Sequence, residues 1–421
     1  MTLWTSLCPA GGPTSAPAAR EGEFSVREFG AVGDGKTDDT AAIQRAIDTA
    51  AGTGGVVYLP PGRYLVAGNL KVAKGVALKG ANQAPQAIGS LLGTVILATG
   101  GRDDEAAPPL FHLGDSSAVI GLMVWYPEQK PDDVRPYPWT FQLEGMDNTI
   151  ENVTLINSYN GARAGPAANV RHRIRSLYGC VLRRGIFVDG CTDIGRVENC
   201  QLHCHWWTHP ETGGRWDLVF NYMVEHLEAF VFGRTDWEYV TNNFVFPAKI
   251  GLRFIQTAKG ACNGHITGCG ADACETSVQV DAIQPMGLLI TGGEFVAFTG
   301  KNPVEVRISD TCSGSVRFVN CAFWGPAVHN AVIGGTGFTS FNDCFFSALY
   351  GKPTSEPLIV AESGRLQINN STFATTQPSV RLGPKVRHAI IRGNNGADGV
   401  RIIDQTGGRA IIADNEPPAK R

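Results

Sequence analysis

Charge is scarce in this sequence: only 18% of the 421 residues are Asp, Glu, Lys or Arg, and the formal net charge is -3. With a pI near 6.3 the chain offers no basic face for nucleic acid and no acidic tail, so nucleic acid drops out of the expected partners. No run of 18 or more apolar residues occurs, so no membrane-spanning helix is expected. The opening MTLWTSLCPAGGPTSAPAAR lacks a basic segment followed by an apolar one, and no signal peptide is visible. Residues 1–23 read as a flexible leader or the remnant of a trimmed export signal, and 24–421 as one domain, expected to be secreted or periplasmic. Lys, Glu and Leu are too few for long amphipathic helices. Phosphate loops, dinucleotide fingerprints and serine elbows are all missing, and the GTGG at 52–55 ends a helix rather than opening one. The cysteines number eleven, an odd count, and are scattered, which excludes a tidy disulfide framework.

What is abundant is turn and strand material: 51 Gly, 24 Pro and 43% hydrophobic residues, a composition suited to many short buried strands. Short apolar segments each meeting a small or amide residue recur at Asn152, Ser176, Asn199, Asn243, Cys269, Gly293, Cys321, Cys344, Ser371, Asn394 and Asn415. Intervals run from 21 (394 to 415) to 28 (293 to 321), and the single 44 (199 to 243) reads as two turns of 22 around Asn221. Such a period marks a solenoid, here a single-stranded right-handed parallel β-helix, all-β, whose turns stack about 4.8 Å apart. Asn and Cys at equivalent bends then form ladders inside the stack. Cys180 with Cys204, and Cys321 with Cys344, come within disulfide reach, or pack as reduced thiols. One helix is expected early: Thr37 and Asp38 cap it, Ile43, Ile47 and Ala50 or Ala51 share a face, and Gly52 stops it. It would cover the open end of the coil.

The segment FSVREFGAVGDGKTDDTAAIQRAI from Phe24, followed by GVVYLPPGRY from Gly55, resembles the N-terminal signature of the pectate-lyase-like superfamily, in the branch related to glycoside hydrolase family 28. WYPEQ from Trp125, PYPW from Pro136 and GIFVDGCTDIGRVEN from Gly185 are similar to an uncharacterised branch of that group. The resemblance implies the β-helix and a carbohydrate substrate in a side groove; β-helices of this type are often homotrimers, which nothing in this chain demands. It does not carry the family 28 catalytic set: no NTD, DD, GHG or RIK motif stands in a matching frame, and the NCQL at Asn199 is followed by HCHWW. Nor is a calcium-binding carboxylate set of the lyase kind placed.

Reactive and aromatic side chains concentrate between 163 and 253, with four of the eight tryptophans between 206 and 237. Aromatic rings stack on sugar faces, so His205, Trp206, Trp207, Arg234, Trp237 and Asp189 are candidate substrate-binding residues; the other reading is a long loop packed on the coil. Glycosidic hydrolysis needs one protonated and one ionised carboxyl group. On a regular strand Asp236 and Glu238 would share a face about 6.5 to 7 Å apart, from a rise of about 3.3 Å per residue. Against this, TDIGRVEN at 192 and TDWEYVTN at 235 align position by position, so Asp193 and Asp236 also read as turn residues, and Glu238 turns inward unless a bulge intervenes. Asp217, in GGRWD, is the third acid candidate, ahead of Glu225, Glu228 and Asp189. The histidines of HCHWWTH (203, 205 and 209) are weighed as metal ligands and read instead as substrate donors or structure. The expected function is a glycoside hydrolase, or a glycosyl transferase of the same chemistry, acting on a polysaccharide or oligosaccharide with no cofactor and no metal. The alternatives are a polysaccharide lyase using Arg or Lys as base, with calcium, and a non-catalytic glycan-binding spike. Turns beyond residue 260 are expected to supply length.

Overall fold

The computed structural model describes residues 22–85, 91–351 and 354–418. The expected leader, 1–23, lies outside the described residues except for Gly22 and Glu23. The chain is a parallel β-solenoid: every strand-to-strand pairing is parallel, and each strand pairs with its counterpart one lap earlier and one lap later. Thr149–Val170 lies on Arg173–Val188, for example, which in turn carries Arg196–Glu198, Gln201–His203 and Glu228–Phe232. A hydrophobic core runs without a break from Val26 to Val400.

One corner of every lap turns on a residue with left-handed backbone: Asn152, Ser176, Asn199, Asn242, Asn320, Asp343 and Asn370 all have φ between 50° and 55°, and Gly268 and Gly292 take the same place. Asn and Asp tolerate this conformation better than other residues with a Cβ, which is why they recur with the period. The residue after each bend points inward and builds the ladder. Asn243 Oδ1 accepts from Cys200 N at 2.8 Å while its Nδ2 donates to Val197 O at 2.8 Å. Asn394 repeats the pattern with Ser371 N and Ile368 O. The thiols of Cys269, Cys321 and Cys344 contact backbone oxygens within the same column. All ten described cysteines are buried and unbonded, so the pairs 180/204 and 321/344 are packing thiols. Beside the ladder Phe295, Phe323, Phe346 and Phe373 stack ring on ring at 5.1 to 5.6 Å.

The 44-residue interval is one lap, not two. Asn199 N donates directly to Thr241 O, and Arg196 pairs with Tyr239, so the coil skips nothing between them. The extra length leaves after Gln201–His203 and returns at Glu228–Phe232, carrying two 3-10 turns and a helix over Trp216–His226. Asn221 sits in that helix, where its amide plays no part in the ladder.

The early helix spans Thr40–Ala50 with Asp39 at its N-cap position. Asp38 Oδ1 accepts from Thr40 N at 3.0 Å, whereas the Asp39 carboxylate folds back onto Val32 N and Gly33 N. Ala42, Ile43, Ala46, Ile47 and Ala50 form its buried face against strands Glu23–Ser25, Gly55–Tyr58 and Leu70–Val72, so the helix covers the N-terminal laps as expected; Ala51 is exposed. Among the described residues no helix is long and apolar enough to cross a membrane.

Candidate functional site

Expected site residues fall into four places. Asp217 lies in the first turn of the Trp216–His226 helix, exposed, with Arg215 Nη2 at 2.7 Å holding its carboxyl below the usual range. Asp236 and Glu238 belong to one strand but not to one face. Trp237 between them has φ 57°, and the pairing with the next lap shifts register between Thr235 and Glu238. The bulge leaves Asp236 half-exposed against Arg234 (2.7 Å), which lowers its pKa, while Glu238 still points inward and is fully buried. There it accepts from Thr235 Oγ1 at 2.7 Å and meets His172 Nε2 at 2.9 Å. Burial disfavours a charged His172, but the Glu238 carboxylate outweighs it and the imidazole is pushed up to about 10. The expected carboxylate pair therefore does not exist on the surface.

Trp206 and Trp207 are core residues, the indole of Trp207 donating to Thr212 O at 3.2 Å, and neither can stack on a sugar. Asp189 is buried too, its Oδ1 accepting from Gly190 N, Arg234 N and Thr257 Oγ1. It braces a turn. His205 is exposed and lies parallel to His203, ring centroids 4.4 Å apart, with Trp216 at 4.4 Å on a tilt. His203 is pushed down to about 4, by burial first and by His205 second. His209 is elsewhere, accepting from Glu211 N at the next 3-10 turn, so the three histidines do not form one ligand set. Trp237 is 54% exposed and stacks on His265 at 5.9 Å. The 203 to 216 shelf and the 234 to 238 turn are thus separate features.

A different set converges on the outer face of the sheet that carries Arg173–Val188, Glu228–Phe232, Ala248–Phe254 and Gly270–Val280. Arg184 pairs with Glu228 in register, and Phe187, Val231, Arg253 and Gln279 form the adjacent outward column. Together with Ile255, Gln256, Asp281, Ala282 and Thr311 these laps line a pocket of about 620 Å³. At its floor Arg253 holds two carboxylates at once, Nη1 to Glu228 Oε1 at 2.5 Å and Nε to Asp281 Oδ2 at 3.0 Å. Arg184 and Arg183 stand 3.8 and 3.9 Å from the second oxygen of Glu228. Burial would raise Asp281, yet hydrogen bonds from Ser309, Gln279 and Arg253 bring its carboxyl below the ordinary value. Arg184 Nε is buried without a hydrogen bond, the Glu228 carboxylate standing 3.8 Å away. One lap earlier Arg163 lies over Trp139 at 5.4 Å, with its Nε bonded to Gln142; burial first, and Arg184 among its neighbours, depress its pKa.

Glu228, Arg184 and Arg253 fall within the stretch that the sequence marks out. Asp281 lies in the region read as mere length, and only the lap register, which sets it beside Arg253, brings it into the site.

The family model described as rhamnogalacturonase A/epimerase, pectate lyase-like, matches residues 23–91. Alginate lyase 7 of Azotobacter vinelandii is 48% identical over 86 residues, 20% of this chain and 10% of that protein. Mannuronan C5-epimerase AlgE4 of the same organism is 49% identical over 67 residues, 14% of this chain and 12% of the epimerase. The chain thus spans about a tenth of the curated relatives it matches. Among solved structures, the DFA-IIIase of Arthrobacter chlorophenolicus A6 superposes with a TM-score of 0.61 at 12% identity, over 93% of this chain and 98% of that one. Gene product 12 of bacteriophage phi29 gives 0.61 at 14% identity over 89% and 52%. The A-module of A. vinelandii mannuronan C-5 epimerase AlgE6 gives 0.52 at 17% identity over 94% and 100%. At such identities the likeness is one of fold.

Proposed function

We propose that the chain is a carbohydrate-active enzyme that cleaves glycosidic bonds of an acidic polysaccharide lying along the arginine-lined face of the coil. One observation carries the reading: a groove pocket lined by Arg184 and Arg253, both partly exposed, beside the two carboxylates of Glu228 and Asp281. Guanidinium groups match carboxylates in geometry and charge, so a sugar acid is the ligand such a wall recognises. The relatives named for alginate and mannuronan point toward the same class of polymer.

The geometry supports β-elimination better than hydrolysis. A hydrolase needs a carboxyl group that is protonated at working pH. Here both groove carboxylates bind Arg253, and Asp281 is held below its ordinary value. In elimination, Arg184 and Arg253 take the uronate carboxylate and acidify the adjacent C5 proton. A base removes that proton, the C4–O bond breaks, a C4–C5 double bond forms, and the leaving oxygen is protonated. Arg163, depressed by burial on the same face, is the base candidate. Hydrolysis keeps one supporting observation, two carboxylates on a single guanidinium that an incoming uronate would compete for; Glu228 and Asp281 would then be the acid and base.

The test is a panel of neutral and acidic polysaccharides, read for reducing ends and for ultraviolet absorbance of an unsaturated uronate. Elimination raises both signals and hydrolysis only the first. No product from any acidic polymer, under conditions where the chain is folded, sinks the proposal.

A further inference from the structure

Two columns of side chains meet inside one corner of the coil, away from the groove. Arg173, Arg196 and Tyr239 are stacked in successive laps, and the residues just before them, His172, Gly195 and Glu238, stack likewise, with Gly264 next. Beside them runs Asn169, Cys191, Thr235 and Cys262. His172 from one lap and Glu238 from two laps on reach toward each other across Gly195, and Cys191 enters from the middle lap. The ligand atoms of all three lie within 4.8 Å of one another, and all three residues are buried.

We propose that His172 Nε2, Cys191 Sγ and Glu238 Oε1 form a buried zinc site that ties three laps together. An imidazole, a thiolate and a carboxylate are a donor set that zinc takes, at about 2.0 to 2.3 Å, which places ligand atoms roughly 3.3 to 3.8 Å apart in a tetrahedron. The three ligand atoms lie within 4.8 Å of one another, and on binding Cys191 Sγ would give up the proton it now donates to Asp193 O at 3.3 Å.

Three further features fit a cation at this point. Asn169 Nδ2 is committed to Asp189 O at 2.8 Å and Ala167 O at 3.3 Å, so its Oδ1 must accept from His172 Nδ1 at 3.1 Å. Nε2 is thereby left facing Glu238 Oε1 at 2.9 Å, and the contact needs a positive centre, either a proton on Nε2 or a metal ion bound by both atoms. Thr235 Oγ1 binds the far carboxylate oxygen, Oε2, and leaves Oε1 turned to His172 Nε2. Finally, the chamber is made by glycine: a Cβ at Gly195 would stand 2.1 Å from His172 Cε1 and 2.6 Å from Glu238 Oε2, and one at Gly264 3.2 Å from Glu238 Cβ. The competing occupant is a proton, which would make the trio a buried ion pair with a bystander thiol.

The site does not depend on the proposed function and is tested without substrate. The full chain, exposed to Zn2+ and desalted, should retain about one zinc per molecule, and the melting temperature should fall once a chelator has stripped it through an unfolding cycle. Co2+ in its place should give a thiolate-to-cobalt charge-transfer band in the near ultraviolet. Cys191→Ala should abolish the band, while Cys200→Ala, at a buried thiol outside the cluster, should keep it. Should Cys191→Ala fail to fold, Glu238→Gln is the second probe, expected to weaken metal affinity at least tenfold. Less than about 0.1 zinc per chain with no cobalt band in the unmodified protein overturns the site in favour of the proton, as does a band that survives Cys191→Ala.

Discussion

Arg253 reaches back one lap to Glu228, Nη1 to Oε1 at 2.5 Å, and the same guanidinium reaches forward to Asp281. This contact spans 25 residues of sequence but only neighbouring rungs of the coil. Its position in the pocket makes Arg253 the residue whose loss should matter most to catalysis. Arg253→Ala is expected to lower kcat/KM by about 10²- to 10³-fold, the usual loss when one electrostatic anchor of a transition state is removed. Arg253→Lys should recover part of it, since a point charge replaces a fork. Initial rates on the best acidic polymer, with a melting curve to show that both variants fold, decide the matter.

Asp217 offers the opposite expectation. Its carboxylate is exposed and bonded to Arg215 within its own turn, so Asp217→Ala should leave both rates and melting temperature unchanged. A large drop in activity would restore the helix start to the site.

Asp281 makes a statement about acid. Its folded pKa is depressed below 3.8, so the carboxylate stabilises the fold above its unfolded value and that contribution fades as pH falls through the folded one. The gap in melting temperature between the native chain and Asp281→Asn should therefore be flat from neutral pH down to about 5 and narrow below about 4. A gap that stays constant to pH 3 would show that the hydrogen bonds to Ser309 and Gln279 do not depend on ionisation.

Gly195→Ala should be among the most damaging small substitutions in the chain. The added methyl overlaps both His172 and Glu238, and overpacking of this kind costs about 1 to 3 kcal/mol or more. Gly52→Ala is the matched control: its nearest neighbour would be Thr49 O at 3.7 Å, and it should melt like the native protein. Thermal unfolding of the two side by side separates the claim from a general intolerance of glycine changes.

Thiol titration checks the ladder. Burial pushes Cys200 up to about 12, and all ten described cysteines are buried, so none of the ten should react in the folded chain. Unfolding without reductant, with a chelator present, should release all eleven; a count short by two or four would mean that 180/204 or 321/344 are bonded after all.

The coil was legible because its signals are local and repeated. Asn152, Asn199 and Asn243 mark the bend or the rung beside it, and a period survives errors at any single lap. The helix over Thr40–Ala50 was legible from spacing for the same reason. The site was not, since it depends on which way a few side chains point. Strict alternation put Asp236 and Glu238 on one face, and a single left-handed residue, Trp237, separated them. Trp206 and Trp207 read as a sugar platform because aromatic rings suit a core and a binding face equally well. Asp281 carried no motif at all; its partner stands 28 residues away, and only the register of the sheet makes them neighbours.

The detour between Gln201–His203 and Glu228–Phe232 has a consequence for how this scaffold can change. Its two ends return to the same rung, so the strands above and below stay aligned whatever length lies between. Its exposed residues can be lengthened, shortened or exchanged without shearing the stack so long as Trp206, Trp207, Val219 and Met223 still pack into the core, whereas one residue gained inside a strand would turn a whole rung inside out. A lineage seeking new substrates would find its freedom in that side branch, and an engineer grafting a foreign loop should cut there first.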